Sequence, residues 1–135
     1  MEVDEPVWQM LERPRVLSGE ERRVLGQLAS AVDEPLLHRQ VAAATVTAAC
    51  RCGCSSLRLQ SDEPPIPDVR IVELSHLDRP DYFRVDAFSH AAALDDVQVV
   101  LHVVQGRIYE LEVFAGEGVS VRLASLADLT DITVA

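Results

Sequence analysis

The 135-residue sequence is long enough for one domain with its own core, and 48% hydrophobic with 25% charged residues is an ordinary globular composition. Its 22 acidic residues outweigh 12 basic ones, all arginine, for a net charge of −10. That balance excludes lysine Schiff-base chemistry and a lysine phosphate loop, and it disfavours nucleic acid and anionic membrane as partners.

The acid excess is concentrated. Residues 60–135 hold 14 acids and 5 arginines, net −9, whereas residues 1–59 are nearly balanced at 8 and 7. No apolar run approaches the roughly 18 residues of a membrane span. The opening "MEVDEPVWQM" has no basic stretch followed by an apolar one, so the expectation is a cytoplasmic protein without a secretory signal, whose thiols stay reduced.

In chain order, residues 1–15 read as an arm, with Trp8 and Met10 either anchoring it to the body or forming part of a contact surface. Ser18 followed by Glu21 is a capping box, and Val24, Leu25, Leu28 and Val32 recur at helical spacing behind it. Pro35 ends that helix and opens a second one, "PLLHRQVA", with Leu36, Leu37 and Val41 on its buried side. From about residue 43 the pattern turns to strands. "ATVTAAC" and "SSLRLQ" flank the Cys/Gly segment as a hairpin, and residues 61–68, with three prolines, form a loop.

Five further stretches then read as strands: "VRIVEL", "DYFRVDAF", "DVQVVLHVV", "RIYELEVF" and "VSVRL". Gln105-Gly106 is a two-residue hairpin loop, and "LASLADL" is one helical turn. The expected architecture is a single α+β domain over 1–135. An N-terminal arm (1–15) and a helical part (16–42) precede a β part (43–135), a mostly antiparallel meander of five to seven strands on which the helix or helix pair packs.

Three sets of residues are candidate sites. Cys50, Cys52 and Cys54 supply three thiols in five positions. A zinc site wants a fourth ligand and usually wider C-x2-4-C spacing, so the segment reads first as a turn of small residues at Gly53 and second as a zinc or redox site. Glu110 and Glu112 are the second set. If Gln105-Gly106 is the loop, Leu101 faces Glu110 and Val99 faces Glu112, so both carboxylates share a face with Val99, Leu101, Val103, Ile108 and Phe114. His102 then falls on the opposite face, opposite Tyr109, and reads as a core histidine. Third, Glu117 joins Glu110 and Glu112 as a contact acid, with Asp95 and Asp96 placed to steer a cationic partner.

The order of parts resembles an uncharacterised family of small bacterial α+β domains. The resemblance rests on "PRVLSGEERRVL", the hairpin "CRCGCSSLRL" and "VVLHVVQGRIYELEVF", over roughly residues 13–125. The chain departs from it at "SDEPPIPD" and "SHAAALDD", which are poorer in glycine. The resemblance implies the fold and no catalytic residue.

No nucleophile elbow, glycine-rich phosphate loop or H-E-x-x-H motif occurs in the sequence. The expectation is therefore a non-enzymatic binding protein, of the immunity or antitoxin kind, that masks a basic partner protein, possibly a toxin domain. Glu110, Glu112, Phe114, Glu117, Asp95 and Asp96 are its contact residues, and no cofactor is called for. The alternative is a thiolate metal (zinc) or redox protein using Cys50, Cys52 and Cys54. A hydrolase built on Glu110 or His102 is the third reading.

Overall fold

The computed structural model describes residues 8–50, 55–91, 94–116 and 119–135, without the side chains of Leu94 and Asp95. Seven strands, β1 (Trp8–Val16), β2 (Thr45–Cys50), β3 (Leu57–Gln60), β4 (Tyr82–Ala91), β5 (Leu94–Val104), β6 (Arg107–Phe114) and β7 (Thr130–Val134), form one antiparallel sheet. Their spatial order is β1-β2-β3-β6-β5-β4-β7. Among the described residues three helices accompany them: α1 (Gly19–Ser30), α2 (Pro35–Ala42) and α3 (Asp68–Leu74). The α+β class, the antiparallel sheet and the packed N-terminal helices are as expected. No helix among the described residues is long and apolar enough to cross a membrane.

Helix α1 starts where its capping box puts it. The Glu21 amide donates to the Ser18 hydroxyl at 3.2 Å, and the Ser18 amide donates to the Glu21 carboxylate at 2.8 Å. The same carboxylate accepts two bonds from Arg15, at 2.8 and 2.9 Å, which tie the end of β1 to the helix start. Pro35 opens α2, and the Glu34 carboxylate caps it by accepting from the Leu36 amide at 2.9 Å. Leu25, Leu28 and Leu37 are fully buried in the cluster formed by the sheet's inner face.

Three assignments differ. "VRIVEL" is helix α3, capped at Pro67, and not a strand. Its β-branched residues favour a strand locally, but only Ile71 is buried and Val69 is 73% exposed, so the segment lies on the core with one helical face. Residues 8–16 of the expected arm are edge strand β1, paired to β2. "VSVRL" is irregular chain leading into a 3-10 turn at Leu123–Ser125, and the far edge of the sheet is instead β7.

The turn at Gln105-Gly106 holds both residues at positive φ, 54° and 78°, as a tight hairpin requires. A Cβ on Gly106 would stand 2.5 Å from the Ile66 carbonyl oxygen, so only glycine fits. Gln40, fully buried on α2, locks the turn to the helices. Its amide nitrogen donates to the Gly106 and Pro64 carbonyls at 2.8 and 3.0 Å, and its oxygen accepts from the Ile108 amide at 2.9 Å.

A helix-free sheet face with a histidine–glutamate cluster

All three helices bury their apolar residues in one cluster, together with Val46, Leu57, Val85, Val99, Leu101, Leu111 and Val113 from the sheet. Side chains alternate along strands, so the opposite face carries the intervening residues. No helix among the described residues covers it.

Which residues occupy that face is decided by one extra residue. From the turn, Val104 pairs with Arg107 and Val103 with Ile108, as expected. The register then shifts: His102 pairs with Glu110, Leu101 with Leu111, Val100 with Glu112 and Val99 with Val113. Tyr109 is the inserted residue of a β-bulge. A one-residue slip moves every later side chain to the other face. The expected pairing of Leu101 with Glu110 and Val99 with Glu112 is therefore wrong, and so is the separation of His102 from the glutamates. Without the bulge, Glu110 and Glu112 would lie under the helices, at a cost of several kcal/mol per buried charge. With it, Leu111 and Val113 take those places. The signal was present: Ile108 and Leu111 are three apart, which breaks the period of two.

The outer face therefore carries a row in direct register, Met10–Ala48–Arg58–Glu110–His102–Arg84, across β1, β2, β3, β6, β5 and β4. His102 Nε2 lies 2.8 Å from Glu112 Oε1, and its Nδ1 lies 2.6 Å from the Tyr82 hydroxyl. The Tyr82 and His102 rings stack at 5.9 Å. One ligand atom from each of His102, Glu110 and Glu112 falls within 4.8 Å of the other two.

The two glutamates sit in unlike environments. The hydrogen bond from His102 holds the Glu112 carboxyl below its ordinary range against the opposing effect of burial. Burial pushes the Glu110 carboxyl up, although His102 and Arg58 pull the other way. Among the described residues no hydrogen bond reaches the Glu110 side chain. Burial likewise raises the Tyr82 phenol. Arg58 spans the gap to the sheet edge, with its guanidinium 4.7 Å from the centroids of both the Trp8 and Tyr109 rings. Arg84 binds Asp86 at 2.9 Å, one pair farther along β4.

Beyond the cluster the face becomes apolar. Phe114 and Phe88 both pair with Gln98 from opposite sides, and they are 41% and 42% exposed. Asp96 is exposed near the start of β5, on the same face by alternation. Of the expected contact residues, Glu110, Glu112, Phe114 and Asp96 thus share one face. Glu117 and the side chain of Asp95 lie outside the described residues. Sequence reasoning placed His102 on the other face and gave Arg58, Tyr82 and Phe88 no part in the site. Cys50, at the end of β2 opposite Trp8, is buried and packs as a small apolar side chain. Cys52 and Cys54 lie outside the described residues.

Comparison with protein-family models, curated proteins and solved structures finds no match.

Proposed function

We propose that this chain is a non-enzymatic protein-binding module of the immunity or antitoxin kind, which takes a basic partner protein on the helix-free face of its sheet. One observation carries the reading: in a chain of net charge −10, that face leaves Phe88, Tyr109, Phe114 and Met10 exposed around half-buried carboxylates. Exposed aromatic anchors beside charged residues are the composition of interface hot spots. Among the described residues Arg15, Arg23, Arg70, Arg79 and Arg84 each pair with a neighbouring acid, and the chain as a whole keeps its net charge of −10. Such a surplus speeds encounter with a cationic surface and makes it salt-dependent. Glu110 and Glu112 act here as contact residues, since Arg58, His102 and Arg84 already balance much of their charge, and Asp96 is the freer steering group.

The test is a photo-crosslinking amino acid placed in turn at Phe88, at Phe114 and at exposed Val69 on the helical side, in the native host. The reading expects one basic polypeptide to be trapped from the two phenylalanine positions, with a yield that falls as salt rises, and not from Val69. Equal trapping at Val69, or an acidic trapped species, refutes it.

A further inference from the structure

We propose that His102, Glu110 and Glu112 bind one divalent first-row transition cation, zinc or an ion of similar size, on the helix-free face of the sheet. An imidazole nitrogen and two carboxylates are donors that such ions accept, and three protein ligands with one position open is a recurrent zinc arrangement. The three ligand atoms already lie within 4.8 Å of one another. Around an ion with bonds of about 2.0–2.2 Å, tetrahedral ligand atoms stand roughly 3.4 Å apart. The 2.8 Å contact between His102 Nε2 and Glu112 Oε1 therefore has to open by about half an ångström, and the wider gaps have to close. Rotation of the two glutamate side chains supplies both movements, while the β5–β6 ladder holds the three backbones in place.

The surroundings favour metallation. Without a metal, Nε2 donates to Glu112 at 2.8 Å; a cation displaces that proton, and the Nδ1–H tautomer, donating to the Tyr82 oxygen 2.6 Å away, then presents the Nε2 lone pair, as ligating histidines usually do. Glu110 is a half-buried carboxylate that no hydrogen bond reaches among the described residues, and a cation would satisfy it. Arg58, opposite Glu110, and Arg84, opposite His102, oppose the added charge and limit the affinity. The fourth position faces outward, where water or a donor from a partner completes the shell. The bulge at Tyr109 assembles this ligand set; a regular hairpin would put His102 on one face and both glutamates on the other.

The test is calorimetric titration of the full chain with Zn2+, in a background carrying Cys50→Ser, Cys52→Ser and Cys54→Ser so that no thiolate competes. The proposal expects saturable one-to-one binding that weakens as pH falls, because protons compete for the ligands. Glu110→Gln, nearly isosteric, and His102→Ala should each weaken binding by at least about tenfold, and Tyr82→Phe, a positioning change, by about tenfold with the stoichiometry kept. Absence of saturable binding in the cysteine-free chain overturns the proposal, as does binding unchanged by Glu110→Gln, whether or not the His102→Ala protein folds. The titration involves no partner protein, so its outcome is independent of the crosslinking result.

Discussion

Deleting Tyr109 from the middle of β6 is expected to leave the protein folded. Tyr109 is the extra residue that separates the Val103–Ile108 pair from the His102–Glu110 pair. Without it, Ile108, Glu110, Leu111, Glu112 and Val113 alternate inward and outward in the order that β5 already demands, as a regular hairpin. The losses are local. The Arg58 guanidinium loses one of its two aromatic rings, worth about 0.5–1 kcal/mol. The tyrosine is 39% exposed, so its partial burial contributes about 1–2 kcal/mol. Removing the bulge restores ladder hydrogen bonding worth about 1 kcal/mol. The net cost is then about 0.5–2 kcal/mol. Deleting Leu111 two positions on is a severe control. It removes a fully buried leucine, about 2–5 kcal/mol, and shifts Glu112 to the core side opposite Leu101, at several kcal/mol more. That sum reaches the whole stability of a typical domain, about 5–15 kcal/mol. Urea unfolding followed by circular dichroism measures both, and a two-dimensional amide NMR spectrum reports whether the sheet persists. If the Tyr109 deletion unfolds the chain, or costs about as much as the Leu111 deletion, the bulge does not sit where we place it.

The glutamates should differ in sign. The Glu112 pKa is depressed in the folded state, chiefly by the His102 hydrogen bond, so its stabilisation is present above the unfolded carboxylate range and is lost as pH falls through the folded pKa. Glu112→Gln is therefore less stable than the parent at neutral pH and converges with it in acid, as read from urea midpoints across pH. Burial raises the Glu110 pKa, so its ionised form is disfavoured by folding, and Glu110→Gln should be as stable or more stable at neutral pH, with the difference vanishing in acid. A neutral-pH loss in Glu110→Gln equal to that of Glu112→Gln contradicts this. Gln40→Leu leaves the Ile108 amide and the Pro64 carbonyl without the glutamine, while Gly106 O keeps its 2.9 Å bond from Ile66 N; we expect a loss of about 2–4 kcal/mol by calorimetry, and a loss below about 0.5 kcal/mol speaks against the anchoring role. Gly106→Ala meets both positive φ and a 2.5 Å approach to Ile66 O, and should cost more than about 2 kcal/mol by the same measurement.

Local chemistry made much of this protein legible from its sequence. The capping box of Ser18 and Glu21, Pro35 at the start of α2, the Gln105-Gly106 turn and the alternation in β4 and β5 each depend on residues within a few positions of one another, and each is found where the pattern puts it. So does the α+β class, which follows from two amphipathic helices and a series of alternating strands. Elements whose conformation depends on distant contacts were not legible. The segment Asp68–Leu74 has strand-like composition, but its place on the core next to β4 offers burial to one helical face, with Ile71 as the fully buried residue. Strands β1 and β7 have no strong pattern of their own and exist because β2 and β4 present unpaired edges to them.

The candidate site belongs to this second group. The sequence by itself singled out Glu110, Glu112 and Phe114, because acids in an apolar strand are conspicuous. It could not say that His102 joins the glutamates, since that depends on whether the strand steps once at Tyr109. Tertiary structure decides this step: the described helices all pack on one face, buried carboxylates are costly, and a single bulge turns Leu111 and Val113 inward and both glutamates outward.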